Sequence, residues 1–249
     1  MTDNNNTFEL ALATALNLPM VHIDRKEFLY KELIKLCPRE QVDVAIQNNP
    51  AYAGVELSII EKIAKSCINY ETNKVSTISF AAGIPGGFTM AATIPADITQ
   101  YFAHILRILQ KLIYLYGWEE ILAEDGKLDD DTTNMLTLFV GIMFGVNGAA
   151  KTITQISALA GQKASKDIAA RALTKGTIYP IVKKIAQTLG VKMTKDIFAK
   201  GVSKVIPIVG GVASGGLTYV TYKPMAYKLK KHLETLKWCD VSYYNNIQN

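Results

Sequence analysis

The sequence has few of the residue types that cross-link small secreted domains or hold metal ions. Its 249 residues include three cysteines and three histidines, all far apart along the chain: Cys37, Cys67, Cys239, His22, His104 and His232. This number and spacing exclude a disulfide framework and provide no pair of zinc ligands, so we expect no cofactor. Apolar residues make up 49% of the chain and charged residues 20%, a balance that excludes a disordered protein.

Basic residues are missing from the start of the chain. Asp3 and Glu9 come first, and no Lys or Arg precedes Arg25. A secretory signal begins with basic residues, and N-myristoylation requires a glycine at the position where this chain has Thr2. We therefore expect a cytoplasmic protein with reduced thiols.

Signatures of catalysis are missing as well. The glycine-rich runs at 83–87 and 210–216 lack the Lys-Ser/Thr ending of a phosphate-binding loop. No Ser or Cys nucleophile has a recognisable base beside it in the sequence. The sequence therefore favours a non-enzymatic protein, and an enzyme stays open as an alternative.

Helix signals dominate what is present. Asp24 and Glu27 are typical of a capping box, and apolar residues spaced three and four apart follow them, as on one face of a helix. A longer stretch with the same spacing begins at Pro95 and ends at Gly117. Only in Leu217–Tyr222 do apolar and polar residues alternate enough that a strand is possible as well as a helix. We predict an all-α fold, a single compact multi-helix domain with uncharged, glycine-rich central helices or hairpins. Its parts would be an N-terminal tail and short helix (1–23), the helical domain (24–237) and a C-terminal tail (238–249).

Charge is unevenly divided along the chain. Residues 1–150 hold 11 basic and 18 acidic side chains, a net charge of −7, whereas residues 151–249 hold 16 basic and 4 acidic ones, a net charge of +12. The basic part indicates an anionic partner. Arg171 is its only arginine and it has no nucleic-acid-binding motif, so nucleic acid is not the expected partner. The acidic run 119–131 is typical of a solvated loop; a charge-driven protein contact is the alternative.

Three long stretches carry no formal charge. They are 22, 19 and 18 residues long and cover 75–96, 132–150 and 205–222. A membrane-spanning helix needs about 20 mostly apolar residues, but Pro85 and Pro207 interrupt the first and third stretches. Small residues four apart would let helices approach closely: Gly83 and Gly87, Gly141 and Gly145, Gly211 and Gly215. Tight packing in a soluble core, a membrane-embedded hairpin and plain loops all fit this pattern.

Lysines border the third uncharged stretch on both sides: Lys183, Lys184, Lys192, Lys195, Lys200, Lys204, Lys223, Lys228, Lys230 and Lys231. An anionic lipid surface attracts each such lysine by about 1 kcal/mol. Tyr219, Tyr222 and Tyr227 lie at the same border, as tyrosines at a membrane interface do. The pattern predicts a lysine-rich membrane-binding segment, with a plain solvated lysine face as the alternative.

One polar face stands out on the long predicted helix. Its members are spaced three, four and seven residues apart, so they share one side: Asp97, Gln100, Tyr101 and His104. Such a face could hold a proton or a ligand head group. Alternatively, Asp97 caps the helix and His104 is an ordinary buried histidine.

Five short runs resemble the EcsC family of bacterial proteins, in the expected order: Ser79–Gly87, Ile94–Asp97, Gln110–Gly117, Gly141–Gly145 and Ser203–Gly211. The resemblance covers about residues 24–235. It implies a helical, membrane-associated protein on the cytoplasmic side of a bacterium. A link to membrane transport is also implied, because the family is named after a gene beside a transporter gene. No catalytic residues follow from the resemblance.

These observations together predict a non-enzymatic helical protein, peripheral at the cytoplasmic face of a bacterial membrane. Its expected partner is the anionic lipid surface or a membrane protein. One alternative is a soluble enzyme or small-ligand-binding protein with a pocket near Asp97 and His104. The other is a charge-driven protein interaction module. No sequence pattern indicates an oligomeric state.

Overall fold

The computed structural model describes residues 12, 14–18, 20–81, 96–122, 129–159, 181 and 212–245. Every regular element in these ranges is a helix, which confirms the predicted all-α class. The ambiguous residues 217–222 are helical too. In chain order the helices are α1 (Arg25–Leu33), α2 (Arg39–Gln47), α3 (Leu57–Ala81), α4 (Ala96–Leu115), α5 (Asp130–Met143), α6 (Asn147–Leu159), α7 (Val212–Leu233), a 3-10 helix (Lys237–Cys239) and α8 (Val241–Asn245).

Helix α4 is the centre of the fold. A surface helix buries one stripe, but α4 is buried on every side at residues 102–106 and again near its end at 112–115. Helices α1, α3, α5 and α7 all pack against it, and α7 also runs along α3. The long repeat in the sequence therefore marks the helix around which the others assemble.

The helix ends follow the predicted signals. The Asp24 carboxylate accepts a 2.7 Å hydrogen bond from the backbone N–H of Glu27, so the predicted cap of α1 is confirmed. Gly117, with φ of +90°, ends α4 as predicted. The backbone N–H of Trp118 donates to the carbonyl of Ile113 at 3.0 Å, which closes a Schellman turn.

The second uncharged stretch is two helices, and Gly145 separates them. Gly145 is exposed, with φ of +78°, and the N–H of Val146 donates to the carbonyl of Gly141 at 2.8 Å. This is a second Schellman turn, which requires a left-handed residue. Gly141 lies buried inside α5. Gly145 thus has a different role from the helix-packing role that its spacing suggests, because it ends α5 and turns the chain into α6.

Arg25 joins three separate parts of the chain. Its guanidinium is buried and donates to the carbonyls of Trp118 at 3.0 Å, Ile46 at 2.7 Å and Asn48 at 2.8 Å. Ile46 and Asn48 lie at the end of α2, where helix carbonyls lack internal partners and the helix dipole is negative. Burial lowers the pKa of Arg25, but arginine stays charged because its pKa starts so high. One buried cation therefore holds α1, α2 and the end of α4 together.

Residues 238–245 pack against the core through buried side chains, although the sequence predicted a tail from residue 238 onward. Trp238 and Tyr244 are buried, and the Trp238 ring packs edge-on against Trp118 at 5.1 Å between centroids. The Tyr244 hydroxyl donates to the carbonyl of Trp238 and accepts from the Asn49 side chain at 2.9 Å. Near the N-terminus, Leu12 and Ala15 are likewise buried. Aromatic packing thus carries the domain through α8.

Replacing Arg25 with lysine should destabilise the fold. Arg25→Lys keeps the charge but cannot reach three carbonyls at once, so we expect the free energy of unfolding to fall by about 2 kcal/mol. Urea unfolding measures this change. The neighbouring exposed Lys26→Ala is the control and should stay within about 0.5 kcal/mol of the parent protein. Equal stability of the two variants would contradict the role given to Arg25.

Two nearby glycines should respond in opposite directions. Gly145→Ala places a side chain at positive φ and should lower the free energy of unfolding by about 1 kcal/mol. Gly148→Ala lies in α6, where a Cβ would meet only Ile181 Cγ1 at 3.7 Å, so it should raise that free energy by about 0.5 kcal/mol. Thermal unfolding of both variants checks the pair. A Gly145→Ala protein as stable as the parent would contradict the helix-ending role.

Candidate functional site

Packing fixes which side of α7 faces outward. Its second half is anchored by buried side chains at three- and four-residue spacing: Tyr222, Met225, Ala226, Leu229 and Leu233. The opposite side carries Pro224, Lys228 and Lys231, which are exposed, and Tyr227 beside them is half-buried and packs partly against the core. Positions 224, 228 and 231 share one helix face. That face is the outer surface of the domain at α7.

The lysines of α7 are not equivalent. Lys228 and Lys231 are exposed, and Lys223 is half-buried. Lys230, also predicted to bind lipid, is only 5% exposed. Its ammonium pairs with Glu234 and lies 4.0 Å from Glu61, so an internal ion pair already uses its charge. Lys230 therefore stabilises the contact between α7 and α3 and does not belong with the outward lysines.

Helix α6 carries a further exposed lysine close to the end of α7. Lys151 is exposed in its second turn, and α6 and α7 contain no Asp or Glu. The Nζ of Lys228 lies 3.4 Å from the position that a Cβ on Gly145 would occupy, at the α5–α6 turn. The His232 ring also lies near the backbone of Ala150, which acts against the lowering of its pKa by burial. The last turns of α7 therefore lie against the start of α6.

Several predicted residues lie outside the described part of the chain. They are Lys183, Lys184, Lys192, Lys195, Lys200, Lys204, Gly83, Gly87 and Gly211. Gly215 lies within α7. Tyr222, expected at a membrane interface, is instead fully buried, and its hydroxyl donates to the backbone carbonyl of His104 at 3.0 Å. Among the described residues, no helix combines the length and apolar content that a bilayer crossing requires.

The polar face predicted on α4 is partly internal. His104 is 4% exposed, whereas Gln100 and Tyr101 are half-buried. The Tyr101 hydroxyl contacts Met225 Sδ at 3.3 Å and Thr221 Oγ1 at 3.4 Å on α7. Asp97 begins the same helix, but its side chain lies outside the described part. This face therefore joins α4 to α7 at Tyr101.

Sequence reasoning missed three charged residues that extend the polar face of α4 beyond His104 or contact it. Glu71 on α3 has a fully buried side chain, and its carboxylate accepts from Lys111 and, at 3.4 Å, from Arg107. Arg107 and Lys111 follow His104 by three and seven residues, so the polar face extends along α4. The sequence shows this spacing. It does not show that Glu71 on α3 is their partner, because Glu71 is far away along the chain.

Opposing effects set the ionisation of this cluster. Burial alone would raise the pKa of Glu71, but the charges and hydrogen bonds of Lys111 and Arg107 outweigh it and lower the pKa. Burial lowers the pKa of His104 to about 4, although Glu71 opposes this shift. At neutral pH the cluster therefore holds an ionised carboxylate between two cations and a neutral imidazole.

The cluster is incompletely hydrogen-bonded. Among the described residues, three of its buried atoms have no partner: Glu71 Oε2, His104 Nδ1 and Arg107 Nε. Unpaired buried polar atoms are costly and often mark a functional site.

A cavity of about 10 Å³ lies elsewhere, against Gly117 and Trp238 at the far end of α4. That volume approaches the space of a single water molecule.

Nucleophilic and metal chemistry find little support in the described residues. The three cysteines are buried and form no disulfide, and burial raises the pKa of Cys67 to about 12. A thiol with such a pKa is a poor nucleophile at neutral pH. No group of three His, Cys, Asp or Glu side chains within the described ranges converges to hold a metal ion.

Comparison of the chain with protein-family models, curated proteins and solved structures finds no match. The resemblance to the EcsC family therefore stays a prediction. The exposed lysines of α6 and α7 are the main features of the candidate site.

His104 should make stability depend on pH. The folded state binds a proton at His104 only near pH 4, whereas the unfolded chain binds it near pH 6.5. The unfolded state thus holds more protons between these values, and stability falls as pH drops through them. Between pH 7 and pH 4, the free energy of unfolding should therefore fall by up to about 3 kcal/mol less in His104→Leu than in the parent protein. Urea unfolding of both proteins at pH 7 and pH 4 measures it, and parallel pH profiles would contradict the prediction.

Proposed function

We propose that the protein is a non-enzymatic helical protein that associates with the cytoplasmic face of a bacterial membrane. One observation carries the proposal: α6 and α7 present exposed lysines outward and contain no carboxylate. An anionic leaflet attracts lysines near its surface, and the attraction adds up over several of them. The predicted resemblance to the EcsC family, with its implied link to membrane transport, supports the same conclusion.

The form of association follows from the same residues. Lysines on the outside of packed helices suit contact with lipid headgroups, because their ammonium groups remain in water. The described end of the third uncharged stretch, residues 212–222, forms the first part of α7 and directly precedes the exposed lysines of that helix. The protein would therefore be a peripheral one, with the segment docking or inserting beside the lysines.

A small-ligand site beside His104 is the second candidate. It is favoured by the unpaired atoms of Glu71, His104 and Arg107 in one buried cluster. The two candidates use different parts of the molecule, since α6 and the outer face of α7 do not include the cluster. His104→Leu should therefore leave vesicle binding unchanged if membrane association is the function.

Co-sedimentation with lipid vesicles tests the membrane proposal. The protein should bind vesicles of phosphatidylglycerol and phosphatidylcholine, and it should bind pure phosphatidylcholine vesicles about tenfold less or weaker still, because these lack the anionic headgroups. Raising the salt from 0.1 M to 1 M shortens the screening length from about 10 Å to about 3 Å and should weaken the binding. Equal and negligible binding to both vesicle types would refute the proposal.

A further inference from the structure

We propose that one defined surface of the protein contacts the phosphate groups of anionic lipids. This lipid-facing surface consists of Lys151 on α6 and of Lys228 and Lys231 on α7. The inference rests on the proposed membrane association and assigns it to particular side chains. Lys230 is not part of the surface, although it lies between two of its members along the same helix.

Contacts place the exposed side of α7 beside the turn that leads into α6. Lys228 and Lys231 are three residues apart on that side, opposite the buried Leu229 and Leu233. The ammonium of Lys228 reaches the α5–α6 turn, since it lies 3.4 Å from the point where a Cβ on Gly145 would stand. Lys151 is exposed six residues after Gly145, in the second turn of α6. We therefore assign Lys151 to the same surface as the two lysines of α7.

The positive charge of this surface is not compensated by the rest of the described fold. None of the three lysines takes part in an ion pair among the described residues. By contrast, Lys65, Lys111 and Lys230 each pair with a glutamate. Because α6 and α7 contain no carboxylate, the field of the three lysines adds up over the surface.

Side chains among the lysines favour lipid over another polyanion. Pro224 is exposed on the same side of α7, and the half-buried Tyr227 beside it packs partly against the core and leaves the rest of its side chain accessible. A membrane interface accommodates both an amphipathic tyrosine ring and the lysines around it. A nucleic acid would be expected to engage arginine and stacked aromatic rings, and the described face offers no arginine. Lipid headgroups thus match both the charge and the apolar part of the surface.

The experiment compares two triple variants with the same change in net charge. Lys151→Gln, Lys228→Gln and Lys231→Gln together remove the lipid-facing surface. Lys26→Gln, Lys31→Gln and Lys62→Gln together remove three exposed lysines from α1 and α3. Binding to phosphatidylglycerol vesicles should weaken on the order of 100-fold in the first variant, at about 1 kcal/mol per lysine. The second variant should lose less than about threefold.

The outcomes separate this inference from the proposed function. If the parent protein binds vesicles but both triple variants weaken equally, net charge alone acts and the assigned surface is wrong. If the first variant binds as tightly as the parent protein does, the assigned surface is wrong as well. The proposed membrane association would still stand in that case. Tighter binding of the parent to duplex DNA than to anionic vesicles would overturn the choice of lipid. Circular dichroism checks that both variants are folded, and the exposure of all six lysines predicts that they are.

Discussion

The burial of α4 on every side at residues 102–106 and 112–115 is the constraint on which the rest of the fold depends. Polar side chains on so enclosed a helix require internal partners. Glu71 on α3 is the partner of two of them, Arg107 and Lys111. Removing only one member of such a buried ion pair leaves an uncompensated charge and is strongly destabilising. The register between α3 and α4 is therefore tied to this carboxylate.

The same requirement explains the long-range hydrogen bonds elsewhere around α4. Gln110 lies fully buried on it and donates to the carbonyl of Val21 at 2.9 Å while accepting from the N–H of Ile23 at 3.0 Å. Tyr116 donates to Glu234 at 2.7 Å, and Glu234 also pairs with Lys230 of α7. Each of these polar groups attaches another segment to the centre. The N-terminal residues and α7 are held by such bonds in addition to apolar packing.

This packing decides which lysines of the basic C-terminal part lie on the surface and which lie inside. The lysines of α7 look alike in the sequence, but the buried stripe at Leu229 and Leu233 turns Lys230 inward and Lys228 outward. A helical projection could have separated the two sides of α7. It could also have shown that Lys230 and Glu234, four residues apart, are neighbours. It could not have shown that the inward lysine approaches Glu61 on α3, because that contact depends on how the helices pack against one another.

Local patterns in the sequence determined the helical class, the caps at Asp24 and Gly117 and the bounds of the central helix, because capping and 3/4 periodicity depend on residues within a few positions of one another. The sequence also showed that His104 lies on a polar face of that helix. Only the tertiary structure decided that Glu71 faces it, that Gly145 ends a helix and that Trp238 and Tyr244 belong to the core. These features depend on which helices meet, and neighbouring residues along the chain do not encode the side chains that packing brings together from far apart.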